Sequence, residues 1–214
     1  MSDRVMSPDQ NIAAHNPFAT RRVRPGAIDF IFPPGLSAAH VVDRLAGHAW
    51  RGQIVGAHGS GKSTLLAALA PAIAARGRRM YTIALHDGQR RLPEQTELLG
   101  DLDEQSLLVI DGYEQLGHWA RWWIGRACRR QRFGLLVTTH RPVGLPSVFE
   151  TQTTVALAQC VVAGLTGGVA TIDRAEITAL FAARKGNLRE LLFDCYNLYR
   201  RRDGDAVAAR PAGL

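Results

Sequence analysis

Nine consecutive residues constrain this chain more than any other feature: Gly56, Ala57, His58, Gly59, Ser60, Gly61, Lys62, Ser63 and Thr64. They fit glycine, four residues, then glycine-lysine-serine/threonine, the pattern of a phosphate-binding (Walker A) loop. The chemistry needs those residue types. Glycines let the backbone curl until consecutive N–H groups point inward at phosphate oxygens. A helix beginning near Lys62 adds the positive end of its dipole. Lys62 has the reach for β- and γ-phosphates, and the Ser63 hydroxyl is the ligand such loops offer to Mg²⁺. The chain has only two lysines, Lys62 and Lys185, and one stands at the required place.

Such a loop works between a strand and a helix, and the flanks supply both: an apolar Gln53–Val55 before it and Leu65–Ala75 after it. Pro71 is expected to kink that helix or end it early, because an interior proline removes a hydrogen bond and crowds the preceding turn. Further candidate strands are Met80–Leu85, Leu107–Ile110, Leu135–Thr138 and Thr154–Leu157. Strands alternating with helices at this spacing predict a five-stranded parallel α/β sheet covered by helices on both faces. Ahead of the loop, Ser37 caps a predicted helix whose apolar stripe is Ala38, Val41, Val42, Leu45, Ala46 and Ala49.

From residue 158 the strand signal stops. Asp173 with Glu176 marks the start of one helix, carrying Ile177, Leu180 and Phe181 and ending at Gly186. Asn187 with Glu190 opens another, carrying Leu188, Leu191, Leu192, Cys195 and Leu198. The expected organisation is a mobile N-terminus over 1–15 and a nucleotide-binding core with an N-terminal arm over 16–157. A small helical segment over 158–202 and a loose tail over 203–214 complete it. The arm, with Asn16–Phe18 and Pro25-Gly26, is read either as a cover for a base or as a plain packing segment.

With 46% hydrophobic and 21% charged residues among 214, the chain can bury a real core, which excludes wholesale disorder. No apolar run is long enough to span a bilayer and no secretory signal pattern opens the chain, so a soluble, cytoplasmic protein without membrane contact is expected. The formal charge is +7, and all but two of the 26 basic side chains are arginine. That excess permits contact with a polyanion without demanding it. Cys128, Cys160 and Cys195 have no paired spacing and read as reduced core thiols.

The second chemical element is Leu107-Leu108-Val109-Ile110-Asp111. A buried strand that delivers a carboxylate to the sheet's C-terminal edge meets the Walker B requirement, with Asp111 holding Mg²⁺ through water. With both motifs in place the chain resembles P-loop NTPases of the additional-strand class, most closely small AAA+-type ATPases. Strand Leu135–Thr138 runs into Thr139 and His140, where that class sets a polar sensor beside the γ-phosphate. The helical C-terminus is similar to the AAA+ lid, and Gly186-Asn187-Leu188-Arg189-Glu190 resembles the segment presenting the second sensor arginine. The resemblance implies a RecA/AAA+-like strand order 5-1-4-3-2 and ATP with Mg²⁺ as cofactors.

Arg189 falls in the first turn of the predicted helix that Asn187 opens. In the first turn of a helix a cation opposes the dipole, which a nearby phosphate would explain and pairing with an acid would explain equally. One departure stands out. The family places a catalytic glutamate directly after the Walker B aspartate, and here that residue is Gly112. The next acid is Glu114, which either reaches the attacking water or caps the following helix. The resemblance therefore implies an ATP- and Mg²⁺-binding protein, a slow or partner-stimulated ATPase in which Arg141 or a partner supplies the arginine finger. A small-molecule kinase and a non-hydrolysing switch that docks a protein or nucleic acid are the alternatives.

Finally, Trp119-Ala120-Arg121-Trp122-Trp123 leads into Arg126, Arg129, Arg130 and Arg132. Cations interleaved with aromatics suit nucleic acid. A helical reading puts Leu116, Trp119, Ala120, Trp123 and Ala127 on one sheet-packing face, with arginines solvated and Trp122 off the face.

Overall fold

The computed structural model describes residues 15–85, 99–168 and 172–208, the last six as backbone only. The expected mobile N-terminus, except His15, and the end of the expected loose tail lie outside the described residues. The chain divides into two compact units: Asp29–Gln152, and Met1–Ile28 together with Thr153–Leu214.

The first unit is built on strands β1 (Arg51–Gly56), β2 (Arg79–Ala84), β3 (Ser106–Asp111), β4 (Gly134–Thr139) and β5 (Ser147–Thr151), with helices α1 (Ala38–Gly47), α2 (Lys62–Ala75) and α3 (His118–Gln131). The five strands form one sheet in the order β2-β3-β4-β1-β5, every pairing parallel. This is the expected order read from the opposite edge.

Strand alternation explains the two layers of core. Leu107, Val109 and Leu136 pack with Val41, Val42 and Leu45 of α1 and Leu65, Leu66, Leu69 and Ile73 of α2. Their sequence neighbours Leu108, Ile110, Leu135 and Val137 point to the other face, against Tyr113, Leu116, Ile124 and Cys128. Asp111 and Thr138 continue the α2-side series, a parity that governs the site.

Several expectations are corrected. The fifth strand is Ser147–Thr151, not Thr154–Leu157. Thr154 instead caps helix α4 (Val155–Leu165), its hydroxyl accepting from the Leu157 N–H at 3.1 Å. The β5 edge is registered by a buried side chain: Gln53 donates to Ser147 Oγ at 3.1 Å and accepts from the Val143 N–H at 2.8 Å. Pro71 neither ends nor shortens α2, which runs on to Ala75. The proline is exposed, so the Ala67 carbonyl it leaves without a helical donor has water within reach, while the opposite face stays buried.

The third correction concerns α3. Its buried residues are Ile124 and Cys128, whereas Trp119 and Trp123 of the predicted sheet-packing face are exposed.

The second unit contains α4, α5 (Arg174–Ala183) and α6 (Leu188–Ala208). Asp173 and Glu176 complete the predicted capping box of α5, and Asn187 Oδ1 accepts from the Glu190 N–H at 3.2 Å at the start of α6. Phe18 is buried here with Ala158, Val162, Ile177, Leu191 and Cys195, and Asn16 donates to the Tyr196 carbonyl at 3.1 Å. The predicted arm is thus split: its first half packs with these helices, and residues from Asp29 belong to the sheet unit. Cys128 and Cys195 are buried, but Cys160 is exposed. No helix among the described residues is long and apolar enough to cross a membrane.

Candidate functional site

β1 ends at Gly56 and the chain curls through Gly61 into α2. A Cβ on Gly56 would lie 1.9 Å from Thr151 Oγ1 and 2.7 Å from Ser60 Oγ, so the loop's first residue has no room for a side chain. The same neighbours brace the loop: Ser60 Oγ is 2.6 Å from Thr151 Oγ1 and donates to the Ala57 carbonyl at 2.8 Å. Lys62 is only 8% exposed. Its ammonium donates to the carbonyls of Gly56 and Ala57, each at 2.8 Å. A buried charge needs partners, and these carbonyls hold it at the loop.

The two motifs meet at one carboxylate. Ser63 Oγ donates to Asp111 Oδ2 at 2.6 Å. The other oxygen accepts from Thr138 Oγ1, which in turn accepts from the Gly112 N–H at 2.9 Å. Sequence reasoning missed Thr138. Thr138 and Thr139 are adjacent at a strand end, and only the core register decides which one shares the α2 face with Asp111. Thr139 lies in register with Val55 of β1, and its hydroxyl is buried without a hydrogen-bond partner among the described residues.

After Asp111 the chain turns sharply. Gly112 has φ of +84°, in the left-handed region, and leads into the single turn Tyr113–Gln115. That turn carries Glu114 back to the site side of the strand ends. Its Oε1 lies 2.9 Å from His140 Nδ1, and its Oε2 is buried without a partner among the described residues. The Glu114 side chain makes no helix cap. His140 packs in turn on His58 of the loop, ring centroids 3.5 Å apart. Burial pushes the His140 imidazole below its ordinary value, with Lys62 and His58 acting the same way against Glu114 and Asp111. A neutral ring donating from Nδ1 to Glu114 accounts for the contact. The His58–His140–Glu114 contact was also illegible as a cluster, because its members lie on three separate segments.

Phe30 is the described neighbour of Gly61: a Cβ there would sit 3.7 Å from the Phe30 ring, which makes edge contacts with Phe32 and Phe149. Arg189 belongs to the other unit. It is exposed in the first turn of α6 and pairs with no acid among the described residues.

The donor set fits a triphosphate with Mg²⁺. A carboxylate and a serine hydroxyl, 2.6 Å apart, are hard oxygen ligands. Beside them stands the Lys62 ammonium on its loop carbonyls, and Glu114 Oε2 and Thr139 Oγ1 are buried polar atoms without a hydrogen-bond partner among the described residues.

A parallel sheet in this order, with a glycine-rich loop after β1 and an aspartate ending β3, gives the chain an AAA+-like α/β fold. Among solved structures the chain is similar to Thermotoga maritima RuvB, titled a Holliday junction branch migration motor, with 19% identity over 79% of this chain and 60% of that one and a TM-score of 0.52. A point mutant of the same protein gives 18% identity, coverage of 81% and 65%, and a TM-score of 0.54. The chain therefore spans less than two thirds of the length of these structures, and the likeness is one of fold. No protein-family model and no curated protein matches the sequence.

Proposed function

We propose that this chain binds ATP with Mg²⁺ and hydrolyses it slowly. The observation that carries the reading is the 2.6 Å contact between Ser63 and Asp111, which joins the phosphate loop to the acidic strand end in one oxygen-ligand pair. On binding, Lys62 would exchange its two loop carbonyls for phosphate oxygens, and Ser63 and Asp111 would turn from each other to the metal. Mg²⁺ supplies charge neutralisation on the β- and γ-phosphates.

Glu114 is the proposed water-orienting acid. Oε2 accepts a proton from a water whose oxygen attacks the γ-phosphorus, while the bond to the β–γ bridging oxygen breaks and ADP leaves with that electron pair. His140 holds the carboxylate through Oε1, leaving Oε2 for the water. His140, packed on His58 of the loop, is proposed to sense the γ-phosphate in place of Thr139, whose strand parity sets it on the face away from Asp111, and Arg189 to act as the second cation, as the resemblance implies.

Phosphate release with ATP and Mg²⁺ tests this. Wild type is expected to turn over, Glu114→Gln to lose at least about tenfold in rate while still binding ATP, and Lys62→Ala to lose binding. Micromolar ATP affinity retained in Lys62→Ala would overturn the site. Binding without release in wild type would overturn the hydrolytic reading in favour of a switch, for which Gly112 in place of the usual acid is the supporting feature.

A further inference from the structure

Outside the candidate site, α3 carries an unusual surface. Trp119 is 82% exposed, Trp122 54% and Trp123 42%. Indole is among the largest apolar groups a protein can bury, and three of the chain's four tryptophans are left open on one helix. At 100° per residue, Trp119, Trp122, Trp123, Arg126, Arg129 and Arg130 fall on one face about 120° wide, opposite buried Ile124 and Cys128. From Trp119 to Arg130 this stripe runs about 16 Å.

The stripe is graded along its length. The aromatic end has Trp119 and Trp122 edge to face with centroids 5.8 Å apart, and Arg126 stands over the Trp122 ring at 5.9 Å. The far end is purely cationic. The helix contains no acidic residue, and Arg126, Arg129 and Arg130 pair with no acid among the described residues. A second copy presenting the same face would set these arginines against themselves, so self-association through it is disfavoured. A partner must instead supply negative charge at short intervals and flat apolar surfaces beside it.

We propose that this face of α3 binds single-stranded nucleic acid, the tryptophans stacking unpaired bases and the arginines holding the phosphates that follow. Duplex is a poor fit, since its bases are already stacked and closed to an indole face. The surface lies wholly within the sheet unit and does not depend on nucleotide at the loop. Arg121, on the opposite side of the helix, donates to the Leu116 and Glu114 carbonyls at 2.8 Å each and tethers the helix start to the segment carrying Glu114.

The test is fluorescence anisotropy of fluorescein-labelled dT20 and rU20 with the full chain and no ATP, followed also by intrinsic tryptophan quenching. Binding of either strand is expected, and the preferred one identifies DNA or RNA as the natural ligand class. Trp119→Ala with Trp122→Ala should weaken it at least about tenfold, while Trp119→Phe with Trp122→Phe keeps most of it. Replacing Arg126, Arg129 and Arg130 with Gln should reduce the slope of log affinity against log salt by about 2. No binding at low salt would overturn the proposal. So would affinity indifferent to the tryptophans, or equal competition by poly-glutamate, the last pointing to an acidic protein surface. Far-UV circular dichroism checks that each variant is folded.

Discussion

Gly112 shows how one backbone angle decides the chemistry open to this site. With φ at +84°, it is held where L-residues are strained, and a Cβ would stand 3.1 Å from the Leu85 carbonyl oxygen. An acid at this position, where similar ATPases carry one, would be strained here, and the turn Gly112 makes is what returns Glu114 to His140. Gly112→Glu should lower stability by about 1–2 kcal/mol, read as a shift in the urea midpoint, and leave phosphate release no faster. A rise in turnover would show that the turn adapts and that Glu114 is dispensable. Thr138 makes the matching point for hydrogen bonding. Its hydroxyl satisfies both the Gly112 N–H and Asp111, so the turn and the carboxylate are fixed by a single atom.

At the scale of elements, a second turn, at the entry to β3, yields a pH prediction. Asp103 accepts from Ser106 Oγ at 2.7 Å and from the Gln105 N–H at 3.1 Å, and pairs with Arg79 at the start of β2. Ser106 and Arg79 hold its carboxyl down at about 2. Because the folded value lies below the unfolded one, near 4, the stabilisation is complete above about pH 4 and is lost as pH falls toward 2. The stability gap between wild type and Asp103→Asn should therefore be constant from pH 5 to 7 and shrink below pH 4. A gap that widens on acidification would contradict the assignment.

Elements differ in how legible they are. Four strands and the α5 capping box follow from short-range pattern, because apolar runs and Asp173 with Glu176 act through neighbours in sequence. The fifth strand does not. Thr154-Val155 has strand-like residues, yet a threonine hydroxyl that accepts from the third N–H onward starts a helix, and Ser147–Thr151 gains its place from pairing with β1. The α3 face misleads for a related reason: tryptophan is assigned to cores by its apolar area, but the face that packs is chosen by smaller Ile124 and Cys128 fitting the sheet. In the site, Lys62, Ser63 and Asp111 follow from motif spacing, whereas Thr138 and the His58–His140 contact depend on strand register.

For the whole molecule, nucleotide binding is a statement about folding free energy. Lys62, Ser63, Asp111, Thr138 and Glu114 belong to the unit Asp29–Gln152, and Arg189 to the other. A ligand that binds only the folded state at one hundred times its dissociation constant adds about 2.7 kcal/mol, or roughly 5–10 °C in midpoint for a chain of this length. ATP with Mg²⁺ should produce that shift in wild type and none in Lys62→Ala. Arg189→Ala separates two cases at fixed ATP concentration. If the arginine reaches the triphosphate, removing a charged hydrogen bond lowers the affinity about tenfold or more, and the shift shrinks by about 1.4 kcal/mol. If α6 takes no part, the shift is unchanged, because an exposed arginine with no acidic partner among the described residues contributes little to the fold itself. We expect the smaller shift. An unchanged one would confine the nucleotide to the sheet unit and remove Arg189 from the proposed site, leaving the proposed ligand pair Ser63–Asp111 and the proposed water position at Glu114 untouched.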